Sequence, residues 1–204
     1  MSALFHCHPR FGELRDQFYA HPDWFTPWTG TLFRFHTVDY PKAKDVLSGK
    51  GAAWRGGRWN PPGLPTIYGS TTDTTALEEC KANDRYYGVV TKSPRLLVAI
   101  EAQLTRALDL TDPGVRRTLD LTLAELAAED WRKLSAGGKE SFTQVLGRAV
   151  AETGGSGLLA RSAAVKRGVN VVIFPGVCRA DRLRVVEGEK LDKLGVRRKV
   201  LTPA

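Results

Sequence analysis

The sequence lacks the features that mark disulfide-stabilised and membrane-spanning proteins. Its 204 residues include only three cysteines, Cys7, Cys80 and Cys178, an odd number at wide separations, which argues against a disulfide framework. Its longest apolar runs, such as Leu96–Ile100 and Val169–Phe174, are far shorter than the roughly 20 residues that cross a bilayer. These absences exclude a disulfide scaffold and a transmembrane helix.

The sequence also lacks a secretory signal and a recognisable metal-binding pattern. The first residues have neither a basic start nor a continuous apolar stretch, so we expect a cytoplasmic protein. Cys7 lies between His6 and His8, but adjacent residues cannot all face one tetrahedral ion, and no second ligand pair stands at a useful spacing. No histidine is marked as the base of a nucleophilic cysteine. We therefore expect no metal site and no cysteine nucleophile.

What the chain has in excess is positive charge. The formal net charge is +8, which favours a polyanionic partner such as nucleic acid, a phosphorylated substrate or an acidic protein. With 42% hydrophobic residues the chain can bury one sizeable core. We divide it into an N-terminal arm (1–30), one domain (31–187) and a basic tail (188–204), and interpret the tail as solvated.

Periodicity and turn residues predict interspersed strands and helices without strict alternation. This favours an α+β fold with a mixed sheet. The predicted strands are 31–37, 66–70, 96–101, 107–110, 158–162, 170–174 and 183–186. The predicted helical segments are 41–47, 74–86, 114–131 and 142–152.

The loop 49–65 contains the most distinctive segment, Trp54 to Gly63. Its glycines allow the backbone to approach a ligand, its arginines are suited to phosphate, and its aromatic rings can stack on a base or a nicotinamide ring. It is neither a P-loop nor a dinucleotide fingerprint. A rigid loop with surface arginines and buried tryptophans explains the same residues, and the pattern alone leaves both interpretations open.

Two further groups of residues contain side chains suited to catalysis. Tyr68 lies on a short strand, and Glu79 lies on the following helix, which can return a carboxylate to the end of that strand. Glu78 points about 100 degrees away from Glu79 on a helix, so only one of the two is expected to face a pocket. Ser162 ends another strand, where a hydroxyl can bind a ligand or form a turn.

Taken together, these segments resemble the RES domain, found in bacterial toxins of toxin–antitoxin pairs. The resemblance covers roughly 31–186. It rests on Phe33-Arg34, Gly56-Gly57-Arg58-Trp59-Asn60, Tyr68, Thr75 to Glu79, Ser162 and Asn170 to Pro175, in the family's order. It implies an ADP-ribosyltransferase-like fold with a mixed sheet core, and NAD as a substrate, with no further cofactor. It also implies an Xre-type antitoxin as partner, with nucleic acid contacted only through that antitoxin.

The resemblance also implies roles for named residues in cleavage of the bond between nicotinamide and ribose. Glu79 would complement positive charge developing on the ribose, while Arg34 and Arg58 would hold the diphosphate or ribose groups. Tyr68 would stack on the nicotinamide ring. Ser162 would bind the ligand or steady Glu79, and we expect it not to act as a nucleophile.

Trp59 and Asn60 complete the expected substrate-binding wall. The acceptor stays open: water gives a glycohydrolase, phosphate a phosphorylase, and a protein side chain a mono-ADP-ribosyltransferase. We favour NAD depletion because it needs no recognition surface beyond the pocket. Two other functional classes are a basic nucleic-acid-binding module, suggested by the charge, and a non-catalytic interaction protein.

Overall fold

A computed structural model describes residues 5–88, 94–178 and 180–193. Within these ranges the chain forms six strands: β1 Phe25–Thr37, β2 Ile67–Ser70, β3 Arg95–Asp109, β4 Gly157–Arg161, β5 Val169–Ile173 and β6 Arg182–Val185. Its helices are α1 Phe11–Ala20, α2 Ala43–Val46, α3 Lys50–Arg55, α4 Asp73–Tyr87, α5 Pro113–Thr118, α6 Leu123–Ala128, α7 Trp131–Ala136 and α8 Phe142–Glu152. No helix in these ranges is both long and apolar enough to cross a membrane.

The strands pair in an order that closes five of them into a circuit. The order is β1-β2-β5-β4-β3-β6, and β1 also pairs with β3 along almost its whole length. Antiparallel pairs dominate, while β3 and β4 run parallel. The pairings of β1, β2, β5, β4 and β3 therefore form a closed circuit, and the predicted α+β architecture with a mixed sheet core is confirmed.

Helices α1 and α8 cover one face of this sheet. The core on that side includes the fully buried Phe18 of α1 and Leu146 of α8. Helix α8 begins with a capping box in which the Ser141 hydroxyl accepts the Gln144 backbone N–H and the Gln144 side chain accepts the Ser141 N–H. Nearly every α8 side chain is buried, as its apolar spacing predicts. The predicted bounds of this helix, 142–152, are confirmed.

Several predicted boundaries are wrong for identifiable reasons. Strand β1 begins at Phe25 rather than Thr31, because its first half pairs with the second half of β3. Pro27 stands at the register shift between Thr26 and Trp28, where its missing N–H is tolerated. For the same reason 96–101 and 107–110 belong to one continuous strand. The predicted helix over 114–131 is broken, since α5, α6 and α7 each have their own side-chain cap, and the loop 49–65 contains α3.

Candidate active site

The loop after α3 is held in place by the side chain of Asn60. This residue is 0% exposed. Its Nδ2 donates to the carbonyl oxygens of Ala52, Pro61 and Leu64 at 3.0–3.1 Å, and its Oδ1 accepts the Tyr68 hydroxyl at 2.7 Å. All of the amide's hydrogen-bonding groups are therefore used within the protein.

Helix α8 holds the same loop in place through two of its residues. The Nε2 of Gln144 donates to the carbonyl oxygens of Gly57 at 2.9 Å and Asn60 at 3.2 Å. Gly147, one turn further along α8, lies directly against the Trp59 backbone, so a Cβ there would collide with the Trp59 carbonyl group. The loop and the helix are thus in direct backbone contact.

The substrate contacts predicted for Trp59 and Asn60 stay a prediction, and within the protein both residues make structural contacts. Trp59 borders a cavity, but only 4% of it is exposed because its ring packs in the core. Asn60 is fully buried and is not among the residues that line that cavity. Gly57 is required for the close approach of Tyr68, whose Oη would lie 2.5 Å from a Cβ at position 57. These residues build the loop, and Arg58 is the member with a charged side chain at the cavity.

Glu79 occupies the centre of a hydrogen-bonded cluster formed by three other segments. Its Oε1 accepts the Ser162 hydroxyl at 2.6 Å and the Asn170 Nδ2 at 2.7 Å. The Oδ1 of Asn170 in turn accepts the Ser70 hydroxyl at 2.7 Å. Within the described part of the chain the Oε2 of Glu79 has no hydrogen-bond partner, although the residue lines a cavity. One oxygen of the carboxylate is held and the other is available.

Ser162 acts on this carboxylate rather than facing the cavity itself. Its hydroxyl donates to Glu79, while its oxygen accepts the backbone N–H groups of Ala164 at 3.1 Å and Val165 at 3.0 Å. The turn after β4 therefore fixes the direction of the hydroxyl proton. Two roles were expected for Ser162, binding the ligand or steadying Glu79, and this geometry favours the second.

Helix α4 determines which of two adjacent glutamates enters the cleft. Thr72 caps its start by accepting the Thr75 N–H at 3.1 Å, which sets the rotation of the helix. Glu79 then faces the sheet, while Glu78 pairs with Lys81 on the solvent side at 2.8 Å. The prediction that only one of the two glutamates faces a pocket is confirmed.

Three cavities meet around these residues. The strand cavity, of about 360 Å³, lies along β1 and β2, and the arginine cavity, of about 380 Å³, lies beneath α7. These two share four wall residues: Tyr68, Glu79, Asn83 and Asn170. The outer cavity, of about 720 Å³, lies beyond β1 beside α2 and α3 and shares Arg34 with the strand cavity. Glu79 therefore stands where the first two cavities join.

Arg34 is a half-buried cation without an acidic partner in the part of the chain that the structure describes. Its Nη1 donates to the Val46 carbonyl at 3.4 Å, and its Nε is buried without a hydrogen-bond partner. No salt bridge joins it to a carboxylate among the described residues. Burial lowers the pKa of Arg34 to about 10, because the charged form has lost water without gaining a counter-ion. An anion in either adjoining cavity would supply that counter-ion.

Arg58 and Tyr68 border the arginine cavity. Arg58 donates to the Leu126 carbonyl at 3.2 Å, and its pKa is lowered by burial and then by the nearby charge of Arg132. Tyr68 donates to Asn60 and accepts the Trp59 N–H at 2.8 Å. Burial raises the pKa of Tyr68 far above its usual range, so the side chain offers the cavities a neutral ring.

Sequence reasoning missed the polar residues that complete the cluster. Asn170, Ser70 and Asn83 all line the strand cavity, yet none was assigned a site role. Asn170 carried a usable signal, since it is the one polar residue in the apolar strand Val169–Ile173. No three His, Cys, Asp or Glu side chains in the described ranges are grouped closely enough to hold a metal ion.

The sequence places the chain in a known family. Residues 31–193 match the RES domain family, and the chain belongs to it, which confirms the resemblance drawn from its motifs. It is similar to the NAD(+) phosphorylase MbcT of Mycobacterium tuberculosis, with 31% identity over 140 residues, 65% of this chain and 72% of that protein. The MbcT of Mycobacterium bovis matches to the same extent.

The fold is also similar to that of a solved structure. A crystal structure of the MbcT–MbcA toxin–antitoxin complex of M. tuberculosis superposes with a TM-score of 0.61. The match covers 93% of this chain and 98% of the other at 21% sequence identity. The likeness thus extends over nearly the whole chain.

Proposed function

We propose that this protein is the toxin of a toxin–antitoxin pair and that it cleaves NAD between nicotinamide and ribose, depleting the cell of NAD and arresting growth. The observation that carries the proposal is Glu79, whose Oε1 is held by two donors while Oε2 is left free where two cavities join. The similarity of the chain to proteins named NAD(+) phosphorylase supports the same reaction class.

Cleavage of this bond needs no general acid, but it needs a carboxylate near the ribose. When the C–N bond breaks, its electron pair neutralises the pyridinium nitrogen, so nicotinamide leaves without being protonated. Positive charge then develops on the ribose. A fixed carboxylate beside that carbon stabilises the charge, as in glycoside cleavage, and losing one such preorganised group commonly costs about 3–4 kcal/mol. Glu79 supplies this group.

The remaining residues position the substrate. Arg34 holds the diphosphate and Arg58 the adjoining ribose groups, through guanidinium forks. The Tyr68 ring stacks on nicotinamide, with its hydroxyl already held by the loop. Ser162 steadies Glu79, while Trp59 and Asn60 act indirectly, by holding Arg58 and Tyr68 in place.

Family membership also supports proposals about the fold, the cofactor and the partner protein. We propose an ADP-ribosyltransferase-like fold, no cofactor beyond NAD as substrate, and an Xre-type antitoxin that contacts nucleic acid on behalf of the pair. The arm (1–30), domain (31–187) and tail (188–204) remain our division of the chain, and we expect the protein to act in the cytoplasm.

The decisive experiment follows nicotinamide release from NAD by the purified chain, with and without phosphate, alongside cell lysate and NAD labelled in its adenylate part. We expect steady release of nicotinamide and no labelled protein. Label on a discrete protein with little free turnover would instead indicate a mono-ADP-ribosyltransferase. Absence of nicotinamide release at any enzyme concentration would refute the proposal, and a non-catalytic binding protein would take its place.

A further inference from the structure

The arginine cavity contains more positive charge than a neutral occupant needs. Besides Arg58 it is lined by Arg132, on α7, and Arg161, at the last position of β4. None of the three forms a salt bridge with a carboxylate within 5–88, 94–178 and 180–193. Three guanidinium groups therefore surround one cavity without carboxylate partners.

Arg132 is held in place by ring contacts rather than by an acid. Its guanidinium carbon lies 4.5 Å from the ring centroids of Tyr86 and Trp131. Its Nη2 donates to Asn83 Oδ1 at 3.2 Å, while its Nε is buried with no hydrogen-bond partner. The charge is fixed at the cavity wall and retains a free donor.

The nearby acids Glu79 and Asp130 offset only part of this positive charge. Asp130 accepts the backbone N–H groups of Arg132 and Lys133 at the start of α7 and also the Tyr86 hydroxyl. Glu79 has its Oε1 engaged by Ser162 and Asn170. The mutual repulsion of Arg58 and Arg132, which helps to lower the pKa of Arg58, is relieved when an anion lies between them.

The diphosphate of NAD has a separate cation to bind. Arg34 lies between the strand cavity and the outer cavity, and the outer cavity is bordered by two exposed aromatic residues, Tyr40 (64% exposed) and Trp54 (77% exposed). A long dinucleotide with its reacting ribose at Glu79 and its diphosphate at Arg34 would continue into the outer cavity. That placement leaves the arginine cavity free on the other side of the ribose.

From this charge distribution we infer that Arg132 and Arg161 form the binding site for the acceptor, an inorganic phosphate dianion, which attacks the ribose from the arginine cavity. The inference rests on the proposed function and names the second substrate of the same site. Glu79 lines both cavities, so a ribose beside it has space on each face for the leaving group and for the attacking oxygen.

The reaction is balanced without any further reagent. The bond between the ribose carbon and nicotinamide breaks, and its electron pair stays on the ring nitrogen. A lone pair of a phosphate oxygen forms the new bond to the same carbon. The proton of the hydrogen phosphate stays on the transferred group, so the products are neutral nicotinamide and ADP-ribose with phosphate at its anomeric carbon. Nothing is oxidised or reduced.

Two measurements on the full chain test the inference. The first is calorimetric titration with inorganic phosphate in the absence of NAD. The second is nicotinamide release against phosphate concentration at saturating NAD. We expect Arg161→Gln and Arg132→Gln each to weaken phosphate binding and raise the KM for phosphate about tenfold or more, because each removes a charge-assisted contact. The KM for NAD should change less than about twofold in both.

Matched variants separate the site from folding and from net charge. Arg161 is exposed, so its replacement leaves the core intact. Arg132→Lys keeps the charge but loses the planar fork, and it should fall between wild type and Arg132→Gln. Arg117→Gln removes an exposed arginine on α5, away from the cavity, and should leave both measurements unchanged.

The outcomes distinguish this inference from the proposed function. Nicotinamide release that does not depend on phosphate would overturn the acceptor site and leave NAD cleavage standing, with water as acceptor. A higher KM for NAD with an unchanged KM for phosphate would also overturn it, since the arginines would then bind the dinucleotide. Arginine-dependent phosphate binding without nicotinamide release would support the anion site and refute the proposed function.

Discussion

The Glu79 cluster and the Gly57–Asn60 loop border the same cavity, but they differ in whether their polar groups are already bonded within the protein. In the cluster, donors converge on one oxygen of a carboxylate that lines the cavity, and the other oxygen has no partner among the described residues. In the loop, the Asn60 amide and the Tyr68 hydroxyl are bonded only to protein. The loop is the more distinctive in sequence, yet it is mainly architecture. A motif therefore indicates a site without identifying which of its residues touch the ligand.

Replacing the carboxylate should have the largest effect. In Glu79→Gln, the amide oxygen can still accept from Ser162 and Asn170, but the negative charge facing the ribose is lost. We expect kcat for nicotinamide release to fall about 10²–10³-fold with little change in melting temperature. Glu78→Gln, one residue away on the solvent side, is the matched control and should behave as wild type. A Glu79→Gln enzyme with near-normal kcat would remove Glu79 from the chemistry.

The loop should respond to mutation through stability instead. Asn60→Ala removes one of the donors to three carbonyls, each of which keeps another, and leaves the Tyr68 O–H without its acceptor, so we expect the free energy of unfolding to drop by about 2 kcal/mol. Urea unfolding measures this loss, and the KM for NAD of the folded fraction should stay within about threefold of wild type. Normal stability with a raised KM for NAD would instead make Asn60 a ligand contact.

Ser162→Ala should lie between these two cases. It removes one of two donors to Glu79, so we expect kcat to fall about tenfold while the KM for NAD changes little. Ser162→Thr retains a hydroxyl and should recover part of the loss. If Ser162→Ala abolished turnover as completely as Glu79→Gln and Ser162→Thr failed to restore it, the positioning role would be untenable.

Tyr68→Phe should have the smallest effect. It keeps the ring at the cavity and removes only the hydroxyl shared between Asn60 and the Trp59 N–H. We expect a stability loss of about 1–2 kcal/mol, seen as a lower melting temperature, and a kcat close to wild type. A large fall in kcat at unchanged melting temperature would show that the hydroxyl, rather than the ring, acts on the substrate.

The sequence predicted the site best where the signal was local. The bounds of α8, and the prediction that only one of Glu78 and Glu79 faces a pocket, follow from helical spacing within a single segment, whereas the choice of Glu79 came from the family resemblance. The start of β1 at Phe25 depends on its pairing with β3 about 80 residues later, which local alternation cannot show. Asn170 and Gln144 join the site through contacts across 87 to 91 residues of sequence, and both were first interpreted as parts of core elements.

The backbone contact between Gly147 and Trp59 has a consequence for how the protein is made. The loop that carries Arg58 cannot take its position until α8 exists to support it, and Glu79 has neither of its donors until β4 and β5 have been added. A growing chain therefore carries the Glu79 carboxylate for some 90 residues before that group is oriented. Assembly of the cleft coincides with near-completion of the domain, so a prematurely terminated chain would contain Glu79 without being an active enzyme.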